Sequence, residues 1–186
     1  ASLPRLFAAG ELDAITINFP TPQPKAKYAK KRLVHVDHLM LYRPLFAGGA
    51  TVTLRTDSKP LHDYALGQFA AAGYGTLWVS DDVRRDHPEH PETEYECRTR
   101  EMGAIVYGIC ATPATQPTDE QLEVGRAQEQ SLACYLPDDL DELTYVPLGM
   151  EEAVENFKNR ARKGKKRLPQ ESQGPLMVAA SANRRK

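Results

Sequence analysis

One short loop in the sequence combines a stiff backbone with groups that could bind a charged substrate. Residues 18–25 read Asn-Phe-Pro-Thr-Pro-Gln-Pro-Lys, so proline alternates with other residues. Each proline fixes φ and removes an N–H donor, which predicts an ordered loop over residues 20–31 and excludes a helix there. Polar side chains at Asn18 and Thr21 would be held in place by these stiff neighbours. We name residues 18–25 the proline loop.

A strip of positive charge overlaps the end of this loop. Residues 25–32 (KAKYAKKR) contain no acid, and their cations are Lys25, Lys27, Lys30, Lys31 and Arg32. Phosphate contacts dominate the affinity of proteins for nucleic acids, so this basic strip predicts contacts with RNA phosphates through Lys27, Lys30, Lys31 and Arg32. Tyr28 could stack on a base. The alternative is an ordinary solvated surface, because lysine clusters are common on proteins.

Hydrophobic periodicity predicts the elements that position the loop. Short runs rich in β-branched or aromatic residues predict strands at 13–19, 50–56, 74–80 and 104–110, the first of them buried. Spacings of three and four residues predict helices at 32–46, 59–72 and 93–102. Gly73 should end the second of these helices, and Gly48 and Gly49 predict a turn.

Alternation of strands and helices predicts an α/β fold with a right-handed parallel crossover between the first two strands. Ligands bind beyond the carboxyl ends of strands in such sheets, which is where the proline loop begins. The compact pattern fades after Thr112, with helices predicted at 119–132 and 151–162. We therefore predict one domain over 1–114 and a helical or partly disordered extension over 115–186, which ends in a basic tail.

Composition excludes several other classes of protein. The chain is 41% hydrophobic and 26% charged with a net charge of −1, which is typical of a soluble globular protein. No apolar run approaches the ~20 residues that cross a bilayer, so we predict no membrane partner. Cys97, Cys110 and Cys134 are far apart and form no CxxC pair, so we predict no metal site and reduced thiols in a cytoplasmic protein.

These residues resemble motifs of the tRNA (guanine-N7)-methyltransferase family. That family carries N-F-P-D-P-W-P-K and then a basic stretch ending in K-R-R-L, to which residues 18–25 and 30–33 are similar. Its glycine pair and strand ending in T-D resemble Gly48-Gly49 and Thr56-Asp57. Its T-K-[FY]-E motif resembles residues 93–96 (TEYE). Order and spacing agree over residues 3–112.

The resemblance implies a fold, a cofactor and a set of site residues. The fold would be the C-terminal half of a class I, Rossmann-like sheet, with S-adenosylmethionine (SAM) as methyl donor and tRNA as substrate. Position by position, it implies substrate binding by Lys25, Asp57, Thr93, Glu94, Tyr95 and Glu96. Two alternatives remain open: Asp57 could cap the helix that begins near Lys59, and Thr93 with Glu96 could form a capping box.

Three positions depart from the family pattern. Thr21 stands where the family has its proposed catalytic aspartate, and a threonine hydroxyl cannot act as a carboxylate base. Gln23 replaces an aromatic residue, and Glu94 replaces a lysine. Thr21 is therefore a catalytic candidate by position only.

The glycine-rich turn that binds SAM in class I methyltransferases has no counterpart here. The spacing GxG occurs only at Gly73-Tyr74-Gly75, which precedes a predicted strand instead of following one. We expect the chain to be a fragment that begins just before the family's fourth strand, and to be inactive and unable to bind SAM by itself. The first strand would then expose an unpaired edge, so we expect homo-oligomer formation through it or cover by the extension.

Three functions fit these patterns. The first is SAM-dependent methylation of guanine N7 in tRNA by the full-length protein. The second is a non-catalytic RNA-binding relative, and the third is a methyltransferase with a different substrate. The basic residues 156–167 could form an RNA-binding arm that folds on contact, or a solubilising tail. The acidic residues 138–142 could shield that arm.

Overall fold

The computed structural model describes residues 3–140 and 143–162. Four strands lie in these ranges: β1 (Leu12–Asn18), β2 (Phe46–Thr56), β3 (Tyr74–Ser80) and β4 (Tyr107–Pro113). The α-helices are α1 (Leu3–Leu6), α2 (Val36–Tyr42), α3 (Lys59–Ala71), α4 (Val83–Asp86), α5 (Glu94–Glu101), α6 (Asp119–Ala127) and α7 (Glu151–Arg162). Short 3₁₀-helices lie at Ala26–Lys31, Arg43–Leu45 and Leu132–Tyr135. The first of them corrects the prediction that residues 20–31 contain no helix, because the prolines end at Pro24 and do not constrain the residues that follow.

The strands form one mixed sheet in the order β1-β2-β4-β3. β1 and β2 are parallel, while β4 is antiparallel to both β2 and β3. The predicted α/β class and the parallel pairing of the first two strands are therefore confirmed. The carboxyl ends of β1, β2 and β3 meet at one edge of the sheet, where the proline loop begins.

Individual residues set the limits of two helices, α3 and α2. Gly73 follows α3 with φ of 71°, a left-handed conformation that glycine adopts without strain, so the predicted stop is confirmed. The helix predicted at 32–46 is much shorter, because His35 caps α2 and Pro44 lies in a 3₁₀ turn.

Two strands differ from their predicted bounds. Gly48 and Gly49 lie inside β2 and not in a turn, and the β1–β2 register shifts opposite them, between Leu12 and Ala14. β4 starts at Tyr107 instead of residue 104. The reason is that the chain first wraps the end of α5, with the Gly103 and Ala104 N–H groups donating to the carbonyls of Arg100 and Thr99.

The prediction that the first strand is buried is wrong for the described chain. β1 is an edge strand of the sheet, and within it only Ile17 is buried. Asp13, Ala14 and Thr16 are exposed. The apolar run correctly predicted a strand. Its burial, however, depends on the strands and helices that cover it, and in the described residues β1 has one neighbouring strand, β2.

The C-terminal part of the chain packs back onto α3. A buried amide pair makes this contact: Gln68 donates to the Gly125 carbonyl (2.7 Å) and to Gln128 Oε1 (2.7 Å). Gln128 in turn donates to the Tyr64 carbonyl at 3.0 Å. The helix predicted at 119–132 ends at Ala127, because residue 128 turns the chain toward the core.

Part of the predicted extension lies outside the described residues. This holds for the acidic residues 141–142 and for the basic tail from residue 163 onward, including Lys163, Lys165, Lys166 and Arg167. Over the ranges that the structure describes, no helix has both the length and the apolar character needed to cross a bilayer.

Candidate functional site

Arg32 fixes the proline loop from inside the protein. Its side chain is 1% exposed and donates to the carbonyl oxygens of Pro22 (3.2 Å) and Gln23 (2.8 Å). A third bond, of 2.6 Å, reaches the carbonyl of Gln130, and the guanidinium lies 4.4 Å from the centre of the Tyr64 ring. Burial lowers the pKa of Arg32 from its ordinary value. The predicted phosphate contact of Arg32 does not fit this buried position.

The loop also contains backbone strain at two residues other than glycine. Phe19 has φ of 46° and Gln23 has φ of 53°, a left-handed region that side chains rarely adopt. Strain of this kind persists only where the surroundings hold it and is concentrated at functional sites. Here the Phe19 N–H donates to the Arg55 carbonyl at 2.7 Å, and Arg32 holds Gln23. The loop is therefore rigid, as its prolines predicted.

A cluster of aromatic and acidic side chains lies beside this loop, and we name it the Asp57 corner. The carboxylate of Asp57 accepts hydrogen bonds at the same oxygen from the hydroxyls of Tyr95 (3.0 Å) and Tyr145 (2.8 Å). The rings of Phe19 and Tyr95 lie 5.0 Å apart. The resemblance predicted that Asp57 and Tyr95 share a site, and the fold places them in contact.

The alternative role of Asp57 as a helix cap is wrong. Ser58 caps α3 instead, and its hydroxyl accepts from the Leu61 N–H at 3.4 Å. The carboxylate of Asp57 is therefore left to bind hydroxyl donors at the end of β2.

Thr93 and Glu96 hold helix α5 in place. The Thr93 hydroxyl accepts from the Glu96 N–H at 3.2 Å, so Thr93 is the N-cap of α5. The predicted capping box is only half formed, because the Glu96 carboxylate pairs with arginines instead of the Thr93 N–H. The Glu96 carboxylate is fully buried and pairs with Arg55 and with Arg84, the latter at 2.6 Å. Arg55 also donates to the Pro91 carbonyl at 2.8 Å. A substrate contact through Glu96 does not fit this burial, and its ion pairs instead orient the helix that carries Tyr95.

The lysines of the basic strip are exposed. Lys27, Lys30 and Lys31 point to the surface. The ammonium groups of Lys27 and Lys31 lie 4.9 and 4.7 Å from the centre of the Tyr28 ring. The strip is therefore a positively charged surface built around one aromatic ring.

Lys25 is joined to helix α7. Its ammonium group lies 2.8 Å from the Glu152 carboxylate, and both side chains are largely exposed. The hydrogen bond to Glu152 raises the pKa of Lys25, and the same bond lowers the pKa of Glu152. The cation predicted to bind substrate thus already has an anionic partner within the chain.

The other candidates lie near the same surface. Thr21 is exposed and lies beside Gly149, and Glu94 is exposed in the first turn of α5. A cavity of about 140 Å³ opens next to Asp57, between Tyr107 on the sheet side and residues 143–150 on the other. Residues 143–162, which we name the C-terminal segment, therefore contact the proline loop through Gly149 and Glu152 and the Asp57 corner through Tyr145.

Three residues of this site were not predicted. Phe19 stands within the proline loop, so its position next to Asn18 was an available signal. Tyr145 and Glu152 carry no signal in the sequence, because they reach the site only through long-range packing of the C-terminal segment.

Comparison with known proteins shows which family the chain belongs to. Residues 1–109 match the family model described as "Putative methyltransferase". The chain belongs to this methyltransferase family. Its α/β sheet with flanking helices is consistent with the fold of SAM-dependent methyltransferases, and the family implies SAM as the methyl donor. The match includes the proline loop, Asp57 and Tyr95, and it ends before the C-terminal segment.

The chain is also similar to curated tRNA (guanine-N(7)-)-methyltransferases. A tRNA (guanine-N(7)-)-methyltransferase from Streptococcus equi subsp. zooepidemicus (strain MGCS10565) is 33% identical over 113 residues, which are 60% of this chain and 54% of the relative. One from Lactococcus lactis subsp. cremoris (strain MG1363) is 31% identical over 112 residues, 59% of this chain and 52% of the relative. The chain therefore spans about half the length of the curated relatives that it matches.

Proposed function

We propose that the chain forms the substrate side of a SAM-dependent tRNA methyltransferase that modifies guanine N7. The observation that carries this proposal is the rigid proline loop beside the Asp57 corner, in a chain whose relatives are tRNA (guanine-N(7)-)-methyltransferases. The exposed lysines that follow the proline loop, Lys27, Lys30 and Lys31, would supply the phosphate contacts. Arg32 is buried and holds the backbone of the proline loop instead of contacting RNA.

The chemistry of guanine N7 suits a site of this kind. This nitrogen is already nucleophilic and carries no proton, so catalysis needs alignment and electrostatic support more than a general base. Asp57 can accept hydrogen bonds from donors on a purine, provided that Tyr95 or Tyr145 yields its place. The exposed hydroxyl of Thr21 can position a ligand but cannot take a proton as a carboxylate would.

The residues of this chain do not fit SAM as a ligand. No strand in the described ranges is followed by a glycine-rich turn: β1 leads into the proline loop, and β2 leads into Asp57 and Ser58. We therefore derive no step through SAM from these residues, and we propose that the present chain by itself does not bind it. Detectable SAM affinity of this chain in calorimetry would contradict that proposal.

A second candidate function is RNA binding without chemistry. Thr21 favours it, because the family pattern has an acid at this position. In that case the proline loop and the basic strip would bind RNA, and no methyl group would be transferred.

An assay of the full-length protein separates the two candidates. It measures transfer of the labelled methyl group from SAM to bulk tRNA that lacks the modification. The first function predicts incorporation, with an Asp57→Asn variant losing about tenfold or more, while Asp119→Asn on the exposed face of α6 keeps wild-type activity. No incorporation and no SAM binding in calorimetry would leave RNA binding as the function.

Two further proposals concern the assembly and location of the protein. Within the residues that the structure describes, one edge of β1 has no strand beside it. We propose that this edge pairs with another copy of the chain, since an unpaired edge strand is a template for pairing. A solution mass that shows only monomer would contradict this. The cytoplasmic location predicted from the cysteines also stays a proposal; Cys97 is exposed and Cys110 buried, and neither forms a disulfide.

A further inference from the structure

A tight turn after α4 brings two imidazoles and a carboxylate together. Residues 87–90 read His-Pro-Glu-His, and the His90 N–H donates to the His87 carbonyl at 3.2 Å, which closes the turn. One ligand atom from each of His87, Glu89 and His90 lies within 4.8 Å of the other two. We name residues 87–90 the histidine turn.

We propose that the histidine turn binds one divalent transition-metal ion through His87, Glu89 and His90. The proposal is independent of the proposed function. The cysteine pattern predicts no metal site in this protein, and the proposal departs from that prediction because it rests on histidines.

The distances within the turn are close to those of a tetrahedral site. His87 Nδ1 lies 3.4 Å and His90 Nε2 lies 3.9 Å from the same oxygen of Glu89. Ligands at ~2.0–2.1 Å from a tetrahedral Zn²⁺ ion are ~3.3 Å from each other, so small side-chain rotations complete the geometry. Two imidazoles with one carboxylate favour ions such as Zn²⁺ over Mg²⁺ or Ca²⁺, which prefer all-oxygen ligands.

The surrounding structure holds the turn in place before any ion binds. Trp78 packs against both imidazoles, with ring centres 4.2 Å from His87 and 5.6 Å from His90. Arg84 donates to the His90 carbonyl at 2.8 Å. Pro88 fixes the backbone between the two histidines. Ion binding therefore costs little conformational entropy. Because Glu89 is exposed, water can reach the ion and fill the position that the three side chains leave open.

The turn is also connected to the Asp57 corner. Arg84 contacts both the His90 carbonyl and the Glu96 carboxylate, and Arg55 bonds both Pro91 and Glu96. Glu96 lies next to Tyr95 in α5. A bound ion would therefore stiffen the segment that leads into α5.

Titration with Zn²⁺ tests the proposal on the untagged chain. Trp78 is the single tryptophan of the protein and contacts His87, so its fluorescence reports on the site. We expect saturable one-to-one binding, in calorimetry and in fluorescence, together with a rise in Tm on adding Zn²⁺. His87→Gln, His90→Gln and Glu89→Gln should each weaken binding at least ~tenfold, with wild-type far-UV circular dichroism verifying the fold.

Two control variants separate this site from other metal ligands. His38→Gln removes a histidine of α2, and Cys97→Ser removes the exposed thiol; both should bind Zn²⁺ as the wild type does. The proposal is overturned if the wild type shows no saturable binding, or if folded His87→Gln and Glu89→Gln variants bind with unchanged affinity. Loss of binding in Cys97→Ser would also overturn it.

Discussion

Arg32 shows how one side chain can determine the shape of a site without being exposed in it. Its guanidinium donates to three backbone carbonyls, two in the proline loop and one at Gln130. It therefore joins the strained loop to the C-terminal part of the chain. The basic strip in which it stands predicted a phosphate contact, because a charge pattern indicates the type of side chain and not the direction in which it points.

Replacing Arg32 should destabilise the protein. Arg32→Met keeps an apolar stem but leaves the carbonyls of Pro22, Gln23 and Gln130 without their donor. We expect the free energy of unfolding to fall by about 2–3 kcal/mol in urea denaturation. The matched control is Lys31→Met on the exposed strip, expected to stay within about 0.5 kcal/mol of wild type. Equal stability of the two variants would show that Arg32 is not a structural clamp.

His35 gives the protein a pH-dependent stability. It is 2% exposed and caps α2, with its Nδ1 accepting from the Asp37 N–H at 3.2 Å. Burial lowers the pKa of His35 below its ordinary value, so the unfolded chain binds the proton more readily than the native chain. The contribution of neutral His35 to the free energy of unfolding is therefore fully present above a pH of about 6.5. It is lost as the pH falls toward the native pKa of His35.

A substitution isolates that contribution. His35→Asn keeps a capping acceptor but does not titrate. Between pH 7.5 and pH 5.5, we expect the wild type to lose up to about 1 kcal/mol more unfolding free energy than the variant, measured by urea denaturation. The same pH slope in both proteins would assign the dependence to other groups.

At the scale of elements, the local signals located the sheet and the helices, but long-range packing set their limits. β3, α3 and α5 lie where periodicity and glycine stops predicted them. α2 is shorter than predicted because His35 and Pro44 limit it, and β2 is longer because its glycine pair forms an irregularity within the strand. None of these differences moves the proline loop from the carboxyl end of β1.

Buried polar side chains attach the C-terminal part of the chain to α3. Hydrophobic periodicity in the sequence could not predict these contacts. Gln68 accepts from the Val36 N–H at 2.8 Å and donates to Gln128 and to the Gly125 carbonyl. α6 therefore packs against α2 and α3 around one buried amide. The prediction of a helical or partly disordered extension over residues 115–186 could not include this contact, since a glutamine in a sequence gives no sign of its partners.

Removing this amide should loosen the C-terminal part. Gln68→Met has similar volume but leaves the buried Val36 N–H without its acceptor and Gln128 Oε1 without its donor. We expect a loss of about 2–3 kcal/mol in unfolding free energy and faster hydrogen exchange in α6. Gln116→Met, at an exposed position, is the control. Unchanged exchange in α6 would mean that Gln68 does not hold this helix.

At the scale of the whole molecule, the C-terminal segment contacts two of the six residues that the family resemblance assigned to substrate binding. Glu152 pairs with Lys25, and Tyr145 donates to Asp57. Both contacts come from residues beyond the matched family region. An RNA that binds the proline loop must therefore compete with Glu152 for the ammonium group of Lys25.

Neutralising Glu152 should strengthen RNA binding. We expect Glu152→Gln to raise the affinity for tRNA about twofold to fivefold at low salt, measured by fluorescence anisotropy, with a smaller effect at high salt because the contact is electrostatic. Glu155→Gln makes the same charge change on α7 without a contact to Lys25, so it is the matched control. An equal rise in both variants would assign the effect to net charge instead of to Lys25.

We propose that this chain supplies the substrate side of a guanine N7 methyltransferase. The most direct measurement is mass spectrometry of tRNA nucleosides after incubation of the full-length protein with SAM and unmodified tRNA. We expect 7-methylguanosine with the wild type, a loss of about tenfold or more with Asp57→Asn, and wild-type yield with Asp119→Asn. Absence of 7-methylguanosine with a folded, SAM-binding wild-type protein would rule out this function.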